Sequence, residues 1–360
     1  MKLKRTSSLL LCFAFCFFVL STSVSATSSS GDDEINRVAI SDCAGKNGSY
    51  HYDVDSGTET FIPPDSTLED LGISDDIPQS SLQVNDPPLE EIDPELDKFI
   101  ESYLASESRA GDNRFSVATP SGYERSTCLL GARFDDAGKV VHEGQYDPCS
   151  GVHSGTGWLI NNNYLVTAGH MVYDWEHSNN GNDGWAKHVA IYVGASNGNY
   201  IHYSLSSAYD VGGDYKACTS TYEYDRFARF DDWAIIKLKT PVSTSVSKLT
   251  PKKTNDYSEM KNKTYTTQGY PCDLGNTNKA WNKYTMYKQT NCTIYAPHYP
   301  STYILDIGAS SNTFFSYGQS GSPLYSGGYA QGIGIGTKGG DTCFILINDW
   351  LYNHIYDNFM

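Results

Sequence analysis

The 360-residue chain carries 42 Asp+Glu against 26 Lys+Arg, a net charge of −16, and is 39% hydrophobic. A chain of this size has apolar material for one large or two ordinary domains, and its acidity excludes the basic footprint of a nucleic-acid binder. Its 32 glycines and 14 prolines follow no period, which excludes collagen-like and low-complexity classes, and only one apolar run is long enough to notice, which excludes a polytopic membrane protein.

That run opens the chain. Lys2, Lys4 and Arg5 precede twelve apolar residues, Leu9 to Leu20, and Val24-Ser25-Ala26 follows as a small-residue exit. Basic flank, short apolar core and small-x-small exit together specify a secretory signal peptide over residues 1–26, and twelve residues are too few to span a bilayer. The mature protein is therefore expected to be exported, extracellular or held in a secretory or lysosome-like compartment, with no membrane attachment after signal removal.

Residues 27–125 hold 22 Asp+Glu and 6 Lys+Arg, so this stretch carries the whole negative excess. With Ser28-Ser29-Ser30-Gly31, Pro63-Pro64 and Pro87-Pro88 it has little apolar surface to bury and is expected to be loosely structured or to fold only against a partner. One island differs: Leu96, Phe99, Ile100, Tyr103 and Leu104 recur at helical spacing between Pro94 and Ser106, as in a pro-segment helix that docks on the downstream domain. Arg109, Arg114 and Arg125 lie in the Ser/Gly-rich exit from this segment and are candidate processing sites. The division expected is signal peptide 1–26, acidic pro-segment 27–125 and a folded domain 126–360.

The folded domain reads as all-β. From a first strand at Cys128–Phe134, short runs rich in Val, Ile, Tyr and Trp recur between turn clusters: Gly157–Ile160, Tyr164–Val166, Val189–Val193, Ala234–Leu238, Tyr303–Ile307, Gly332–Ile335 and Phe344–Ile347. Only Asp349–Phe359 has helical spacing. Many short strands and one terminal helix imply a sandwich or barrel. Cys128, Cys149, Cys218, Cys272, Cys292 and Cys343 all lie here, which in an exported domain implies three disulfides of open connectivity. No cysteine or histidine ligand spacing for zinc is present, so neither metal nor cofactor is expected. Sequons at Asn47, Asn262 and Asn291 are glycosylation candidates.

Three local motifs carry chemistry. Tyr164-Leu165-Val166-Thr167-Ala168-Gly169-His170 is a strand that delivers one imidazole to a loop. Asp231-Asp232-Trp233-Ala234-Ile235-Ile236-Lys237-Leu238 puts a carboxylate at the head of an apolar strand. Gly318-Gln319-Ser320-Gly321-Ser322-Pro323 flanks a serine with glycines that let the backbone turn its N–H groups inward. A serine hydroxyl needs an adjacent base, and the base needs a carboxylate to hold its tautomer. These blocks resemble the three active-site blocks of chymotrypsin-like serine endopeptidases. Gly-Gln-Ser-Gly-Ser-Pro, preceded by Gln268-Gly269-Tyr270-Pro271, is more similar to the bacterial glutamyl endopeptidase branch than to the trypsin branch.

The resemblance covers residues 126–360 and implies two packed six-stranded antiparallel β-barrels with a cleft between them. It implies His170 as general base and acid, Asp232 as its orienter with Asp231 the rival, Ser320 as nucleophile, and the N–H groups of Gly318 and Ser320 as oxyanion donors. An α/β-hydrolase, which needs Gly-x-Ser-x-Gly and a Ser-acid-His order, is excluded by both the motif and the order.

Departures from the family are informative. Gln319 stands where trypsin-branch enzymes have the Asp that receives the freed N-terminus, so activation here does not use that ion pair. Phe314, six residues before Ser320, replaces the acidic residue of an Arg/Lys pocket. Gly336 falls where glutamyl endopeptidases carry a carboxylate-binding histidine, which leaves Phe314, Phe315, Gly336 and Thr337 as the candidate substrate pocket. The expectation is a monomeric serine endopeptidase made as a precursor, with peptide or protein substrates and its own pro-segment as partners. The second reading is a catalytically silent, protease-like binding or adhesion protein.

Overall fold

The computed structural model describes residues 48–73, 112–134, 152–175, 183–220, 228–254, 257–274, 284–295, 307–338 and 340–360, together with Ser178 and Tyr224. Six strands build the first barrel: β4 (Thr127–Arg133), β5 (Val152–Leu159), β6 (Tyr164–Ala168), β7 (His188–Val193), β8 (His202–Gly212) and β9 (Trp233–Leu238). They pair antiparallel in the order β8-β7-β4-β5-β6-β9, and β9 returns to β8 with Tyr209 opposite Ile236. The short apolar runs are near-continuous because both faces are covered: Leu165, Val166, Ile235 and Ile236 are each no more than 1% exposed. Closing the sheet on itself gives each of these strands two neighbours, but the second half of β8 runs past the end of β7 and keeps one side open. The tight Asn161-Asn162-Asn163 link between β5 and β6 is an Asx turn, in which Asn161 Oδ1 accepts from the N–H groups of Asn163 (2.8 Å) and Tyr164 (2.9 Å).

The second barrel contains β11 (Tyr265–Gly269), β12 (Met286–Cys292), β13 (Ile307–Ser310), β14 (Pro323–Ser326), β15 (Tyr329–Lys338) and β16 (Asp341–Leu346), paired in the order β13-β16-β15-β14-β11-β12. A bridge between Tyr295, just past β12, and Ala309 in β13 joins the two ends. The short β10 (Thr250–Pro251) pairs in parallel with β15. The all-β architecture of two six-stranded antiparallel barrels with a terminal helix is therefore the observed one. That helix, α1 (Asp349–Phe359), is capped by Asn348, whose side chain accepts from the Leu351 N–H at 2.8 Å. It follows the last strand of the second barrel yet buries Leu351, His354, Ile355 and Phe359 against the first, with Phe359 5.2 Å from Tyr164 and Trp350 5.6 Å from Trp233 (ring centroids).

Of the acidic stretch 27–125, expected to be loose or to fold only against a partner, the described part follows the second alternative by folding against the barrels. Its Ser49–Asp53 (β1) and Thr58–Ile62 (β2) form a hairpin, and all five β1 residues pair with β8. The acidic residues supply part of the adhesion: Glu59 accepts from Trp185 Nε1 at 2.7 Å and pairs with Lys216 at 2.9 Å, and Asp55 pairs with Lys239 at 2.7 Å. Tyr52 stacks on Trp185 at 4.7 Å. Low hydropathy hid this because the strand buries few but large aromatic groups against a ready-made sheet edge. Phe115–Val117 (β3) pairs with β12 of the second barrel, and the turn Gly122–Ser126 leads straight into β4. Residues before 126 thus join both barrels. The expected helix over 94–106 and Arg109 lie outside the described residues.

The expected disulfide framework is not seen among the described residues. Among the described residues no two cysteines are joined: Cys128, Cys218, Cys272, Cys292 and Cys343 are each buried, and Cys149 lies outside the described residues. They act as small apolar packing groups, and burial pushes the Cys128 and Cys292 thiols above the ordinary cysteine range, away from the reactive thiolate.

Because five backbone pairs and an aromatic stack hold β1 to the barrel, cutting the chain within residues 74–111 leaves the hairpin bound. After limited proteolysis the small fragment co-elutes with the barrels on native gel filtration and separates only in denaturant; separation in native buffer would contradict this register.

Candidate active site

His170 sits in a short helical turn, Gly169–Met171, directly after β6, so the rigidity of a fully buried strand is passed to the imidazole. Asp232 ends the helical turn Arg229–Asp231 that enters β9, the neighbour of β6 in the barrel. Antiparallel pairing of Ala168 with Trp233 brings the two side chains together from positions 62 residues apart. His170 Nδ1 lies 2.9 Å from Asp232 Oδ2 and 3.2 Å from Oδ1, and the His170 N–H donates to Oδ1 at 2.8 Å. A carboxylate only accepts, so Nδ1 carries the proton and Nε2 is left as the basic nitrogen.

Asp232 is fully buried, whereas the His170 side chain is 31% exposed at the cleft. A buried carboxylate has to be satisfied by donors. A third one comes from Tyr224, whose hydroxyl donates to Oδ2 at 2.7 Å. No local motif marks Tyr224; only the fold brings it to Asp232. Burial disfavours the imidazolium, but the Asp232 charge and hydrogen bond, with Asp174 adding, outweigh it and hold His170 above the ordinary histidine pKa. The rival Asp231 faces elsewhere: Oδ1 accepts from Trp233 Nε1 at 2.7 Å and Oδ2 from the Asp214 N–H at 2.8 Å. Burial, with Asp214 nearby, pushes its carboxyl up to about 7.

Ser320 arrives from the second barrel on the turn before β14. Its carbonyl accepts from the Thr156 N–H of β5 at 2.8 Å, and the Gly318 carbonyl accepts from Thr156 Oγ1 at 2.7 Å. One residue of the first barrel therefore grips both ends of Gly318-Gln319-Ser320. Gly318 and Gly321 both lie at φ +85°, and a Cβ at Gly321 would overlap the Thr156 carbonyl oxygen and Thr167 Oγ1 and come 3.0 Å from the Ala168 N. Glycine is required there for contact as well as for backbone. The serine turn thus rests on Ala168, two residues before His170. Among the described residues, neither the Gly318 nor the Ser320 N–H donates to a backbone carbonyl.

The candidate pocket residues divide. Phe314 is half-buried and its N–H donates to Gln289 Oε1 at 2.9 Å. Phe315 is mostly buried and meets Phe344 edge-on at 6.4 Å, as a wall rather than an open surface. Gly336 lies at φ +140° on a bulge in the β15–β16 ladder, with nothing within 4 Å of the place a Cβ would take. Exposed Thr337 offers its carbonyl to Arg229 Nη2 at 3.4 Å. Arg114 lies away from solvent beside Gln319, and Arg125 is half-buried in the turn before β4. Asn262 and Asn291 are exposed, and Asn47 lies outside the described residues.

The family model described as Trypsin matches residues 141–344, more than half of the chain. A curated relative from Bacillus subtilis (strain 168), named an extracellular metalloprotease, is 28% identical over 255 residues, covering 69% of this chain and 67% of its own. A metal centre does not fit the residues described here, since among them no group of three or more His, Cys, Asp and Glu side chains is placed to hold an ion. A solved Glu endopeptidase in complex with MPD superimposes with a TM-score of 0.51 at 17% identity, over 69% of this chain and 96% of that one.

The imidazole titration is a direct check of this geometry. Proton NMR should place the His170 pKa above about 6.5, and Asp232→Asn should lower it, because burial then acts without an opposing charge. An unchanged value in Asp232→Asn would refute the pairing.

Proposed function

The chain belongs to the trypsin family and is a serine endopeptidase, and we propose that it hydrolyses peptide bonds with Ser320 as nucleophile, His170 as base and Asp232 as orienter. The observation that carries this reading is the double grip of Thr156 on Gly318 and Ser320, which docks the serine turn on β5, the antiparallel neighbour of the β6 strand that leads into His170. In the proposed cycle His170 Nε2 takes the Ser320 hydroxyl proton as Oγ attacks the scissile carbonyl. The Gly318 and Ser320 N–H groups receive the oxyanion, and the same imidazole returns its proton to the leaving amine. Asp232, held by three donors, stabilises the transient imidazolium. Water then repeats the sequence on the acyl-enzyme.

Export by the 1–26 signal and synthesis as a precursor belong to the same proposal. It is supported by the leader's charge and apolar pattern and by the acidic excess of 27–125. No helix among the described residues is long and apolar enough to cross a membrane.

Ser320→Ala should abolish labelling by a fluorophosphonate probe and lower kcat by about 10⁶-fold; turnover at the parent rate would refute the nucleophile. Because His170 must be neutral to act, kcat/KM should be full above its raised pKa and fall as pH drops through it, and a flat profile from about pH 5 to 8 would argue against this base.

Selectivity follows from what the pocket lacks. Phe314 offers no carboxylate to a lysine or arginine, and Gly336 holds a backbone conformation that disfavours any side chain, the carboxylate-binding histidine included. Peptide-library profiling should show no Lys/Arg enrichment at the cleaved position and no strict requirement for Glu; either preference would overturn this account of the pocket.

A further inference from the structure

Arg114 is an arginine in the segment that precedes both barrels, yet its side chain is only 3% exposed. A buried guanidinium must place all its N–H groups, and here each has an acceptor. Nε and Nη2 engage Asp112, at 3.1 and 2.7 Å. Nη1 and Nη2 form a fork on Asp273, at 3.0 and 2.5 Å. The remaining Nη1 hydrogen goes to Gln319 Oε1 at 2.9 Å. Gln319 is itself 1% exposed and stands between the two proposed oxyanion donors.

The same Gln319 oxygen accepts from the Ser316 N–H at 3.0 Å, and Ser316 Oγ donates to Asp273 at 2.5 Å. The backbone repeats the link, with the Cys272 N–H on the Tyr317 carbonyl at 2.8 Å and the Gln319 N–H on that of Ser316 at 3.1 Å. The turn 316–320 therefore has one face gripped by Thr156 and the other by Arg114 and Asp273. Arg114 is held in turn by β3, which starts at the next residue and pairs with β12.

We propose that Arg114 is a positioning residue: through Gln319 it sets the orientation of the Gly318 and Ser320 N–H groups, and the working enzyme therefore keeps Asp112–Arg114. This deepens the reading of Ser320 as nucleophile and rests on it. A neutral glutamine before the serine is matched by an internal cation that is present before any cut, so a newly freed amine is not needed there. Of the three arginines near the segment's exit, a maturing cut is compatible with Arg109 and not with Arg114 or Arg125, since a cut after either would detach the strut from the chain it serves.

The test uses the secreted protein as expressed, with Arg114→Ala, Gln319→Leu, the double variant and Ser320→Ala. Arg114→Ala should lose about 10²-fold in kcat, the scale of one oxyanion donor, with KM nearly unchanged because substrate binding is left alone. Gln319→Leu should lose as much, and the double variant no more than the larger single loss. Millimolar guanidinium should restore part of kcat in Arg114→Ala and nothing in Gln319→Leu. If Arg114→Ala does not fold, Arg114→Lys carries the test, since a point charge cannot reach both Asp273 and Gln319 as a fork, and kcat should fall with KM steady.

Parental kcat in the folded Arg114 variant with Ser320→Ala inactive would overturn this inference alone. Losses that add to those of Gln319→Leu and ignore guanidinium would do the same, as would an active form whose N-terminus lies beyond Arg114. An active Ser320→Ala would instead remove the nucleophile reading, and the inference with it.

Discussion

The site depends on one junction between the barrels, the grip of Thr156 on the backbone around Ser320. Its N–H and hydroxyl satisfy two carbonyls of the serine turn, and its own carbonyl accepts from Thr167 Oγ1 at 2.7 Å. Thr167 belongs to β6, which delivers the imidazole. Hydrogen bonds in a water-excluded seam are costly to leave unmade, so the two barrels can approach in one register only. Glycine at 321 is the steric condition for that approach, because a Cβ there would run into the Thr156 carbonyl oxygen, while glycine at 318 keeps the serine turn clear of the Tyr270 carbonyl within the second barrel.

Electrostatics within the first barrel then set the surroundings of the His170 imidazole. Burying Asp232 completely costs solvation, and the fold returns it through His170 N–H, His170 Nδ1–H and the Tyr224 hydroxyl. The same contacts orient the ring, so the group that raises the imidazole pKa also selects its tautomer. Asp231, one residue earlier, is equally buried but turns toward Trp233 and the Asp214 backbone. Two adjacent carboxylates thus have different surroundings because a helical turn sends neighbouring side chains in different directions.

The acidic segment is woven through this scaffold. Its hairpin lengthens the first barrel's sheet, its β3 extends the second, and Arg114 reaches the turn before the serine. Net charge is a poor guide to folding when carboxylates such as Asp55 and Glu59 have cations waiting on the barrel surface, and when a few aromatics supply the apolar contact.

Sequence alone determined the strand-rich barrels, the terminal helix and the His, Asp and Ser blocks, because those features are local: buried strands read as apolar runs, and a glycine-flanked serine is visible in six letters. It also favoured Asp232 over its neighbour Asp231 as the carboxylate beside the imidazole. In the tertiary structure Asp232 meets His170, while Asp231 turns to Trp233. That structure also shows what Tyr224, Thr156 and Arg114 touch and that no two described cysteines are joined. Thr156 and Arg114 meet partners 162 and 205 residues away while Tyr224 lies 8 residues from Asp232, and no pattern within one segment encodes which donor will meet which acceptor once the barrels close.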